Sequence, residues 1–441
     1  MCGVSLGRVT MREKESITIH PARNILGSLR VPGDKSISHR YAMLAALAVG
    51  HSRFENFAPG ADCASTLSCV EALGCIVARD EKGMVTVDGL GAQLRAPVAS
   101  LDCGNSGSTM RMLSGILSGQ LFGSELIGDA SLSRRPMKRI IEPLTQMGAC
   151  ISSAEGDRAP LHIQGSKLNA IAYRPAVASA QVKTAVLFAG LLAEGQTTVE
   201  EPARTRDHGE IALRAFGAEV ERNGNTVGIQ GGQTLKPLEA YVPGDMSSAA
   251  FFLCAASLFS ESNLVIDGVL LNPTRSALLD ILSGMGSRIS MVRVEESHGE
   301  LVGTITLMPG KGRHVRIEGA ITALLIDELP VLAAIAPFTA GGLEVRDAGE
   351  LRVKESDRLN AVTRNLQAMG ARIEQTEDGW RIPGGQQLHG AEIESFDDHR
   401  VAMAFAVAAL RASGDSVIHN AECVAISYPA FFEDLERLVE R

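Results

Sequence analysis

Basic side chains crowd the start of a predicted helix near the amino end of the chain. Lys35, His39 and Arg40 follow a Val-Pro-Gly-Asp turn and lead into an apolar run that predicts a buried helix. Asp34 or Ser36 can cap this helix, but cations at a helix start oppose its dipole at about 0.3–1 kcal/mol each. The arrangement makes sense if helix amides and cations together bind an anion; a capped surface helix with solvated charges is the alternative. The spacing of a P-loop is absent.

The same unfavourable placement recurs at other predicted helix starts. Basic residues occupy it at four separate helices, with Lys35 and Arg40 at the first, then Arg111, Lys183 and Arg400. A local rule that is broken repeatedly at equivalent positions usually marks a functional site. The sequence therefore predicts a cleft that is lined by helix N-termini and binds more than one anionic group.

Four further clusters carry reactive or binding side chains. They are the glycine turn Gly104-Asn105-Ser106-Gly107, the pair Arg134-Arg135, the loop Arg204-Thr205-Arg206-Asp207-His208 and the run Arg352-Val353-Lys354-Glu355-Ser356-Asp357-Arg358. Glycines let backbone amides approach a ligand, and arginine suits bidentate recognition of carboxylate or phosphate. We expect Asp207 to cap a helix and Arg206 to be the more informative residue of its loop. Capped turns and solvated charges are the alternatives for each cluster, as for Asp327 at another helix start.

Six copies of one unit position these clusters, because two kinds of helix recur along the chain. The more apolar helices begin near Ser36, Ser108, Ala180, Ser247, Glu328 and Asp398. Five amphipathic helices close on a glycine that suits the C′ position, at Gly74, Gly148, Gly217, Gly286 and Gly370. A short strand follows each, such as Cys75-Ile76-Val77 or Ala371-Arg372-Ile373, and a sixth helix, Phe431 to Val439, simply stops. Units of about 70 residues are longer than most solenoid repeats and predict packed α/β subdomains.

A second repeated motif, Val-Pro-Gly-Asp, divides the six units into two sets of three. Val31-Pro32-Gly33-Asp34 and Val242-Pro243-Gly244-Asp245 each precede an apolar helix. We therefore expect two similar domains, residues 1–33 with 245–441 and residues 34–244, whose connections cross near Gly33 and Gly244. An anion cleft between two domains implies closure on the substrate around these hinges.

Composition excludes several classes of protein. The 441 residues are 45% hydrophobic and 21% charged, with a formal net charge of −9, so we expect no nucleic-acid partner. No uncharged apolar stretch reaches membrane-spanning length, and no membrane association is expected. The eight cysteines lack metal-ligand spacing, which favours reduced thiols in a cytoplasmic protein without a metal site. Residues 1–15 lack the pattern of a signal peptide.

Together these clusters resemble the 5-enolpyruvylshikimate-3-phosphate (EPSP) synthases, or 3-phosphoshikimate 1-carboxyvinyltransferases, of the enolpyruvyl transferase family. The motifs follow the family order over nearly the whole chain: Asp34-Lys35-Ser36 with Arg40, Gly104-Asn105-Ser106-Gly107 with Met110-Arg111, Arg135-Pro136-Met137, Ser179-Ala180-Gln181, Asp327, Arg352-Val353-Lys354-Glu355-Ser356-Asp357-Arg358 and Asp398-His399-Arg400. The resemblance implies an α/β fold of two similar domains, each built of three βαβαββ-type repeats with buried helices, an inside-out α/β barrel of six units in all.

The resemblance also implies a reaction. Such transferases move the enolpyruvyl (carboxyvinyl) group of phosphoenolpyruvate to the 5-hydroxyl of shikimate 3-phosphate by addition–elimination through a tetrahedral intermediate. They release phosphate, use no metal or organic cofactor, and serve the shikimate pathway to chorismate and the aromatic amino acids. The site is expected in the interdomain cleft. Residues 34–244 are expected to hold most shikimate 3-phosphate contacts, and the other domain the groups for the phosphoenolpyruvate carboxylate and for proton transfer.

The resemblance implies a role for each residue of this chain that matches a family motif. Asp327 is expected to face the 5-hydroxyl, and Glu355 and Lys35 are the candidates for proton transfer. The expected phosphoenolpyruvate contacts are Lys35, Gly107, Arg135, Gln181, Arg358 and Arg400, the last two at its carboxylate. The expected shikimate 3-phosphate contacts are Lys35, Ser36, Arg40, Ser179, Ala180, Gln181, Arg206, Asp327 and Lys354.

Two positions depart from the family pattern. Many members have a lysine where this chain has Ile426, which leaves one phosphate contact open for another cation, and some have asparagine at Glu350. Gly107 is retained where a bulkier residue in some members gives glyphosate tolerance. We therefore expect glyphosate to compete with phosphoenolpyruvate and the enzyme to be a glyphosate target.

Two other functions compete with this interpretation. The related UDP-N-acetylglucosamine enolpyruvyl transferase normally carries a reactive loop cysteine and a lysine-asparagine pair, whereas here Ser36 follows Lys35. A non-catalytic anion-binding protein would keep the arginines without needing Asp327 and Glu355. We expect an enzyme that acts on two small-molecule substrates as a monomer in the cytoplasm.

Overall fold

The computed structural model of the chain describes residues 15–310 and 312–441. The segment before Glu15, which carries most of the signal-peptide prediction, lies outside the described residues. The described chain begins with two strands, β1 (Ile17–Ile19) and β2 (Asn24–Leu29). The first unit follows with α1 (Lys35–Leu47), β3 (Val49–Glu55), α2 (Ala61–Ala72), β4 (Ile76–Arg79) and β5 (Val85–Leu90).

The second and third units repeat this order. The second contains β6 (Leu101–Asp102), α3 (Gly107–Ser118), β7 (Gly123–Ile127), α4 (Lys138–Gln146), β8 (Cys150–Ala154) and β9 (Arg158–Gln164). After β10 (Leu168–Asn169), the third contains β11 (Ala172–Tyr173), α5 (Ala180–Leu191), β12 (Ala193–Glu194), β13 (Gln196–Glu200), α6 (His208–Ala215), β14 (Val220–Asn223) and β15 (Thr226–Gln230).

The second half of the chain follows the same plan. After β16 (Glu239–Tyr241), the fourth unit contains α7 (Met246–Ser257), β17 (Asn263–Leu270), α8 (Ala277–Gly284), β18 (Arg288–Ser297) and β19 (Glu300–Met308). The fifth contains β20 (Val315–Ile317), α9 (Ala320–Leu324), α10 (Leu329–Ile335), β21 (Leu343–Val345), α11 (Arg358–Ala368), β22 (Glu374–Gln375) and β23 (Trp380–Ile382). The sixth contains β24 (Glu392–Glu394), α12 (His399–Ala409), β25 (Ser416–His419) and α13 (Phe431–Leu438), and β26 (Val439–Glu440) ends the chain.

Each unit builds its own small sheet. In the second unit β6 runs parallel to β7, β7 antiparallel to β9, and β9 antiparallel to β8. The third and fifth units repeat this pairing strand for strand. A parallel pair joined by a helix and followed by an antiparallel hairpin is the βαβαββ arrangement, so the predicted repeat is confirmed.

The first and fourth units exchange their leading strands. β16, which precedes α7, pairs with β3 of the first unit, and β2, which precedes α1, pairs with β17 of the fourth. Where the two connections cross, Gly33 and Gly244 form an antiparallel bridge. A Cβ atom at Gly33 would lie 1.8 Å from the backbone oxygen of Asn56, so the crossing admits only glycine there.

The N-terminal strand completes the last unit. β1 pairs antiparallel with β25, and β26 pairs antiparallel with β2. The prediction that the last helix runs to Val439 and stops is wrong, because α13 ends at Leu438 and the next two residues extend a sheet. The predicted strand over residues 371–373 is also displaced, since β22 begins at Glu374.

Buried apolar side chains form two clusters. One draws on residues 37–242 together with Leu270, and the other on residues 19–31 and 246–438. The first surrounds α1, α3 and α5, and the second surrounds α7, α10 and α12. Nearly every residue of α7 and α12 is buried, as expected for helices without a polar face. No helix among the described residues has the length and apolarity needed to cross a membrane.

The predicted starts of the six apolar helices are confirmed to within one residue. The six apolar helices start at Lys35, Gly107, Ala180, Met246, Leu329 and His399. The five glycines predicted to follow amphipathic helices all have positive φ. Asp34 rather than Ser36 caps α1, because its Oδ1 accepts a 2.9 Å hydrogen bond from the backbone N–H of Ile37.

Candidate active site

The six apolar helices all begin at one cavity of about 370 Å³. Each helix start contributes lining residues: Lys35 and Ser36 at α1, Gly107 and Ser108 at α3, Ser179 to Gln181 at α5, Asp245 and Ser247 at α7, Asp327 before α10, and Arg400 in α12. Helix N-termini present unpaired amide groups and the positive end of the dipole. Six of them around one space make a site suited to anions.

A second set of loops completes the cavity. These loops precede the amphipathic helices, and they contribute Asp62 near α2, Arg135 and Arg139 near α4, Arg204 to Arg206 before α6, Arg275 before α8, and Lys354 and Glu355 before α11. Each unit therefore offers the cavity one helix start and most also offer the loop that follows the next strand. The repeat explains how distant segments of the chain meet at one place.

Most of the predicted site residues line this cavity. They are Lys35, Ser36, Gly107, Arg135, Ser179, Ala180, Gln181, Arg206, Asp327, Lys354, Glu355 and Arg400. The two exceptions, Arg40 and Arg358, are buried just behind the wall. Arg40 donates from Nη1 to the backbone oxygen of Ser36 at 2.8 Å, and Arg358 donates from Nη2 to Glu355 Oε2 at 2.6 Å.

Lys183 was expected to line the anion cleft, and this prediction is wrong. Its ammonium group is fully buried beneath the cavity wall, where Nζ lies 2.8 Å from Glu210 Oε1 and 3.1 Å from Glu201 Oε1. Burying a cation is tolerable only when carboxylates compensate it. The sequence showed a cation at a helix start but gave no sign that two acidic residues downstream would neutralise it.

Asp207 was expected to cap α6, and this prediction is also wrong. The residue occupies the N-cap position, but its side chain makes no capping hydrogen bond. Instead Oδ2 accepts from Arg204 Nη2 at 3.0 Å, and Oδ1 accepts from Asn272 Nδ2 at 2.9 Å. Asn272 follows β17, so Asp207 ties the Arg204–Arg206 loop to the fourth unit.

Lys35 is held by an acidic residue that the sequence did not single out. Its Nζ lies 3.0 Å from Asp62 Oδ2, and Asp62 is buried at the start of α2. Burial disfavours the ammonium form, but the Asp62 carboxylate outweighs burial and raises the pKa of Lys35. Lys35 is therefore protonated at neutral pH and available as a cation and a proton donor.

Among the described residues, three ion pairs between cavity-lining side chains join the two sets of units. Arg206 Nη1 lies 2.8 Å from Asp327 Oδ2, and Arg135 Nη1 lies 3.4 Å from Glu355 Oε1. At the third, the guanidinium of Arg139 meets the carboxylate of Glu350 through two hydrogen bonds of 3.0 and 3.2 Å. In each pair the cation comes from residues 34–244 and the carboxylate from the fifth unit.

The two candidate catalytic carboxylates are ionised. Burial alone would raise the pKa of Asp327, but Arg400 and Arg206 outweigh it and hold that pKa well below its usual value. Burial likewise opposes ionisation of Glu355, whereas Arg358 and Arg135 hold its pKa well below the usual value. Both groups can accept a proton, and neither carries one at neutral pH.

Several arginines around the cavity have a buried nitrogen without a hydrogen-bond partner. Among the described residues these atoms are Arg40 Nε, Arg135 Nε, Arg206 Nη2 and Arg358 Nη1. Buried donors are nearly always paired in folded proteins, and an unpaired one calls for an explanation such as a ligand. Two of these four arginines, Arg135 and Arg206, line the cavity, where their donors suit an anionic ligand.

Gly107 lies against two guanidinium groups. A Cβ atom built on it would approach Arg111 Nη1 to 2.9 Å and Arg135 Nη1 to 3.4 Å. Its amide donates to the backbone oxygen of Asn105 at 3.1 Å, so the predicted bond from this amide to phosphate requires that contact to be shared. Arg111 also donates to Gln181 Oε1 at 2.8 Å.

The comparison with known proteins identifies the family. A model of the family described as EPSP synthase (3-phosphoshikimate 1-carboxyvinyltransferase) matches residues 19–435. The chain belongs to the EPSP synthase family. A 3-phosphoshikimate 1-carboxyvinyltransferase of Koribacter versatilis is 63% identical over 427 residues, which are 97% of this chain and 100% of the relative. One from Solibacter usitatus is 54% identical over 423 residues, 96% of this chain and 99% of the relative.

Solved structures agree with this family membership. An EPSP synthase from Acinetobacter baumannii is 40% identical with a TM-score of 0.86, covering 97% of this chain and 98% of that one. The enolpyruvyl transferase NikO from Streptomyces tendae shares the fold at 20% identity, with a TM-score of 0.77 and the same coverage. The predicted two-domain, inside-out α/β fold is confirmed. The EPSP synthase assignment is favoured over the UDP-N-acetylglucosamine enolpyruvyl transferase.

This EPSP synthase family member lines its cavity with residues that sequence reasoning missed. They are Asp62, Arg139, Asp245, Ser247 and Arg275. A usable signal existed, because Asp62, Arg139 and Arg275 precede or begin the amphipathic helices, at positions equivalent to the loops already singled out. In the described part of the chain, no group of three or more His, Cys, Asp or Glu side chains is arranged to hold a metal ion.

Proposed function

We propose that this cleft joins the enolpyruvyl group of phosphoenolpyruvate to the 5-hydroxyl of shikimate 3-phosphate and releases phosphate. The observation that carries the proposal is the meeting of unpaired arginine donors with two ionised carboxylates in one cavity. Two phosphorylated, carboxylated substrates need several cations, and their addition–elimination chemistry needs groups that accept and deliver protons. The reaction belongs to the shikimate pathway of aromatic amino acid biosynthesis.

Phosphoenolpyruvate binds between the two sets of units. We assign its phosphate to Lys35, Arg135 and Gln181, with the Gly107 amide sharing its bond to Asn105. Its carboxylate goes to Arg400, whose Nη1 donates to the Asp327 backbone oxygen at 2.9 Å. Arg358 supports this end of the cavity from behind, through its Nη1, which makes no hydrogen bond but lies 3.7 Å from Asp327 Oδ1.

Shikimate 3-phosphate binds on the side of the first three units. Its expected contacts are Lys35, Ser36, Ser179, Ala180, Gln181, Arg206, Asp327 and Lys354, with Arg40 supporting Ser36 from behind. Arg206 supplies a guanidinium with one nitrogen that makes no hydrogen bond. Ser179 is the N-cap residue of α5, where its hydroxyl accepts a hydrogen bond from the Val182 N–H. Burial lowers the pKa of Lys354 from its usual value, which a bound phosphate would reverse.

We assign the proton transfers from the charge states of the side chains on the two walls. In the addition, Asp327 accepts the proton of the 5-hydroxyl as its oxygen bonds to C2, and the Lys35 ammonium delivers a proton to the C3 methylene. In the elimination, Glu355 removes a proton from the resulting methyl group while the bond between C2 and the phosphate oxygen breaks. The two protons held by the carboxylates return to Lys35 and to the departing phosphate, so the cycle balances.

The test measures phosphate release from the purified protein. Mixing both substrates is expected to release phosphate, and either substrate alone or UDP-N-acetylglucosamine with phosphoenolpyruvate is expected to release none. Asp327→Ala and Glu355→Ala are expected to abolish turnover while shikimate 3-phosphate still binds. Lost binding with retained turnover would contradict the assigned roles.

The domain arrangement is part of the same proposal. We take residues 34–244 as one domain and residues 1–33 with 245–441 as the other, with hinges at the Gly33–Gly244 crossing, and the enzyme as a cytoplasmic monomer. The separate apolar clusters support the division. Small-angle scattering is expected to show a more compact particle when shikimate 3-phosphate is added, light scattering to give the mass of one chain, and cell fractionation to find the protein in the cytoplasm.

A further inference from the structure

A buried cluster of four charged side chains lies beneath the cationic wall of the cavity. Lys183 Nζ contacts Glu210 Oε1 and Glu201 Oε1, and Arg222 Nη2 lies 2.9 Å from Glu201 Oε2. The side chains of Lys183, Glu201 and Glu210 are each 1% exposed. None of these residues lines the cavity, and none has a place in the reaction described above.

Glu201 joins two segments that reach the substrate. Through Lys183 it is tied to the first turn of α5, which presents Ser179 and Gln181 to the cavity. The same carboxylate accepts hydrogen bonds from Thr205, from its backbone N–H at 3.1 Å and from its hydroxyl. Thr205 immediately precedes Arg206. One buried carboxylate therefore sets the distance between the start of α5 and the Arg206 loop.

The Arg206 loop has no regular secondary structure to hold it. Residues 201–207 connect β13 to α6 without strand or helix pairing. The contacts that hold them include the Glu201–Thr205 hydrogen bonds at one side and the Asp207–Asn272 hydrogen bond at the other. Between these contacts Arg206 extends across the cavity to Asp327, so its position depends on both.

We infer that Glu201 is a positioning residue for shikimate 3-phosphate, which it serves by fixing the Arg206 loop against the start of α5. The inference rests on the proposed function, because it uses the assignment of Ser179, Gln181 and Arg206 to that substrate. A displacement of about 1 Å in a substrate-positioning group can cost on the order of 100-fold in rate. The Glu201 carboxylate resists such a displacement, because Lys183, Arg222 and Thr205 all contact it in a buried position.

The first test is Glu201→Gln, which keeps the shape of the side chain and removes its charge. Glu200→Gln is the matched control, because Glu200 is the neighbouring residue with a 52% exposed side chain and only a 3.6 Å contact to Arg174. We expect Glu201→Gln to raise the KM for shikimate 3-phosphate about 10- to 100-fold. The KM for phosphoenolpyruvate is expected to change less than about threefold, and the control to leave both unchanged.

Thr205→Val keeps the test decisive if Glu201→Gln does not fold. It removes the hydroxyl contact to Glu201 at nearly constant volume, and is expected to shift the same KM in the same direction by a smaller factor. Equal losses for both substrates accompanied by a lower Tm would show that the cluster only stabilises the fold, and unchanged KM values would overturn the inference as well.

Arg206→Ala separates this inference from the proposed function. If Arg206→Ala raises the KM for shikimate 3-phosphate but the Glu201 and Thr205 variants do not, the positioning role is wrong and the site assignment stands. If Arg206→Ala leaves that KM unchanged, the assignment of Arg206 to the substrate fails and the inference falls with it.

Discussion

The two walls of the cavity carry opposite charge, although six copies of one unit build both. Residues 34–244 contribute six basic residues and one acidic residue to the lining, Lys35, Arg111, Arg135, Arg139, Arg204 and Arg206 against Asp62. The other wall contributes five acidic and three basic residues, Asp245, Asp327, Asp347, Glu350 and Glu355 against Arg275, Lys354 and Arg400. The repeat fixes where side chains meet, and each unit differs in which charge it places there.

This difference divides the work of the site. The cationic wall supplies donors for phosphate and carboxylate groups, and the acidic wall supplies ionised carboxylates that can take a proton. The walls neutralise each other through Arg206–Asp327, Arg135–Glu355 and Arg139–Glu350. Anionic substrates must compete with these carboxylates for the same arginines, so substrate binding and the release of the carboxylates for catalysis are linked.

On the acidic wall, the substitution with the largest expected effect on catalysis is Glu355→Gln. The amide keeps the size of the side chain but cannot accept a proton, so kcat is expected to fall about 10²- to 10⁴-fold. The KM for shikimate 3-phosphate is expected to stay within a few-fold, as measured by steady-state phosphate release. Glu374→Gln, at an exposed carboxylate paired with Arg381, serves as the control. A kcat near that of the unmodified enzyme would remove Glu355 from proton transfer.

On the cationic wall the corresponding change is Arg135→Met. The variant removes the guanidinium that we assign to the phosphate of phosphoenolpyruvate. Removing one partner of a buried, hydrogen-bonded charge pair costs about 2–5 kcal/mol, so kcat/KM for phosphoenolpyruvate is expected to fall about 30-fold or more. Affinity for shikimate 3-phosphate, measured by calorimetry without phosphoenolpyruvate, is expected to change little. A loss confined to shikimate 3-phosphate instead would reassign Arg135.

Gly107→Ala tests how tightly the cationic wall is packed. The added methyl group would press on the guanidinium groups of Arg111 and Arg135, and a contact this short requires them to shift. We expect glyphosate to compete with phosphoenolpyruvate in the unmodified enzyme, and the variant to raise the inhibition constant about tenfold, equivalent to about 1.4 kcal/mol. Millimolar glyphosate without effect on the unmodified enzyme would refute the first expectation.

The Arg139–Glu350 pair allows the charges of two facing side chains, one on each wall, to be exchanged. Arg139→Glu and Glu350→Arg each place like charges together, and each is expected to raise the KM for both substrates a few-fold, because partly exposed pairs contribute only about 0.2–1 kcal/mol. The double variant restores opposite charges and is expected to recover most of the loss. The same exchange at Lys138 and Glu142, which pair within α4, is expected to change neither KM. A double variant as poor as the singles would show that the pair does not join the walls.

Buried histidines near Lys35 predict a modest pH dependence of stability. Burial, with the charge of Lys35, lowers the pKa of His39 and of His399 well below the usual value. Below about pH 6.5 the unfolded chain therefore binds protons that the folded chain does not, and stability falls by up to about 1.4 kcal/mol per pH unit for each histidine. We expect Tm to drop by several degrees between pH 7 and pH 5, and His39→Gln to flatten this slope. A Tm that stays constant over this range would contradict the buried, neutral state.

Local sequence patterns determined much of this protein. Apolar runs and capping residues located the starts of the six buried helices to within one residue, because helix initiation depends on neighbours within a few positions. The family motifs brought together most of the cavity lining, from Lys35 to Arg400, because those motifs sit at the helix starts that converge.

Only the tertiary structure decided which charges face the substrate and which face each other. Lys35 and Lys183 look alike in sequence, yet Asp62 holds the first at the cavity, whereas Glu201 and Glu210 hold the second beneath it. The Arg139–Glu350 pair and the exchange of β2 and β16 between units join segments about 200 residues apart. Electrostatic energy depends on distance and burial rather than on sequence separation, so partners of this kind are fixed only when the chain has folded.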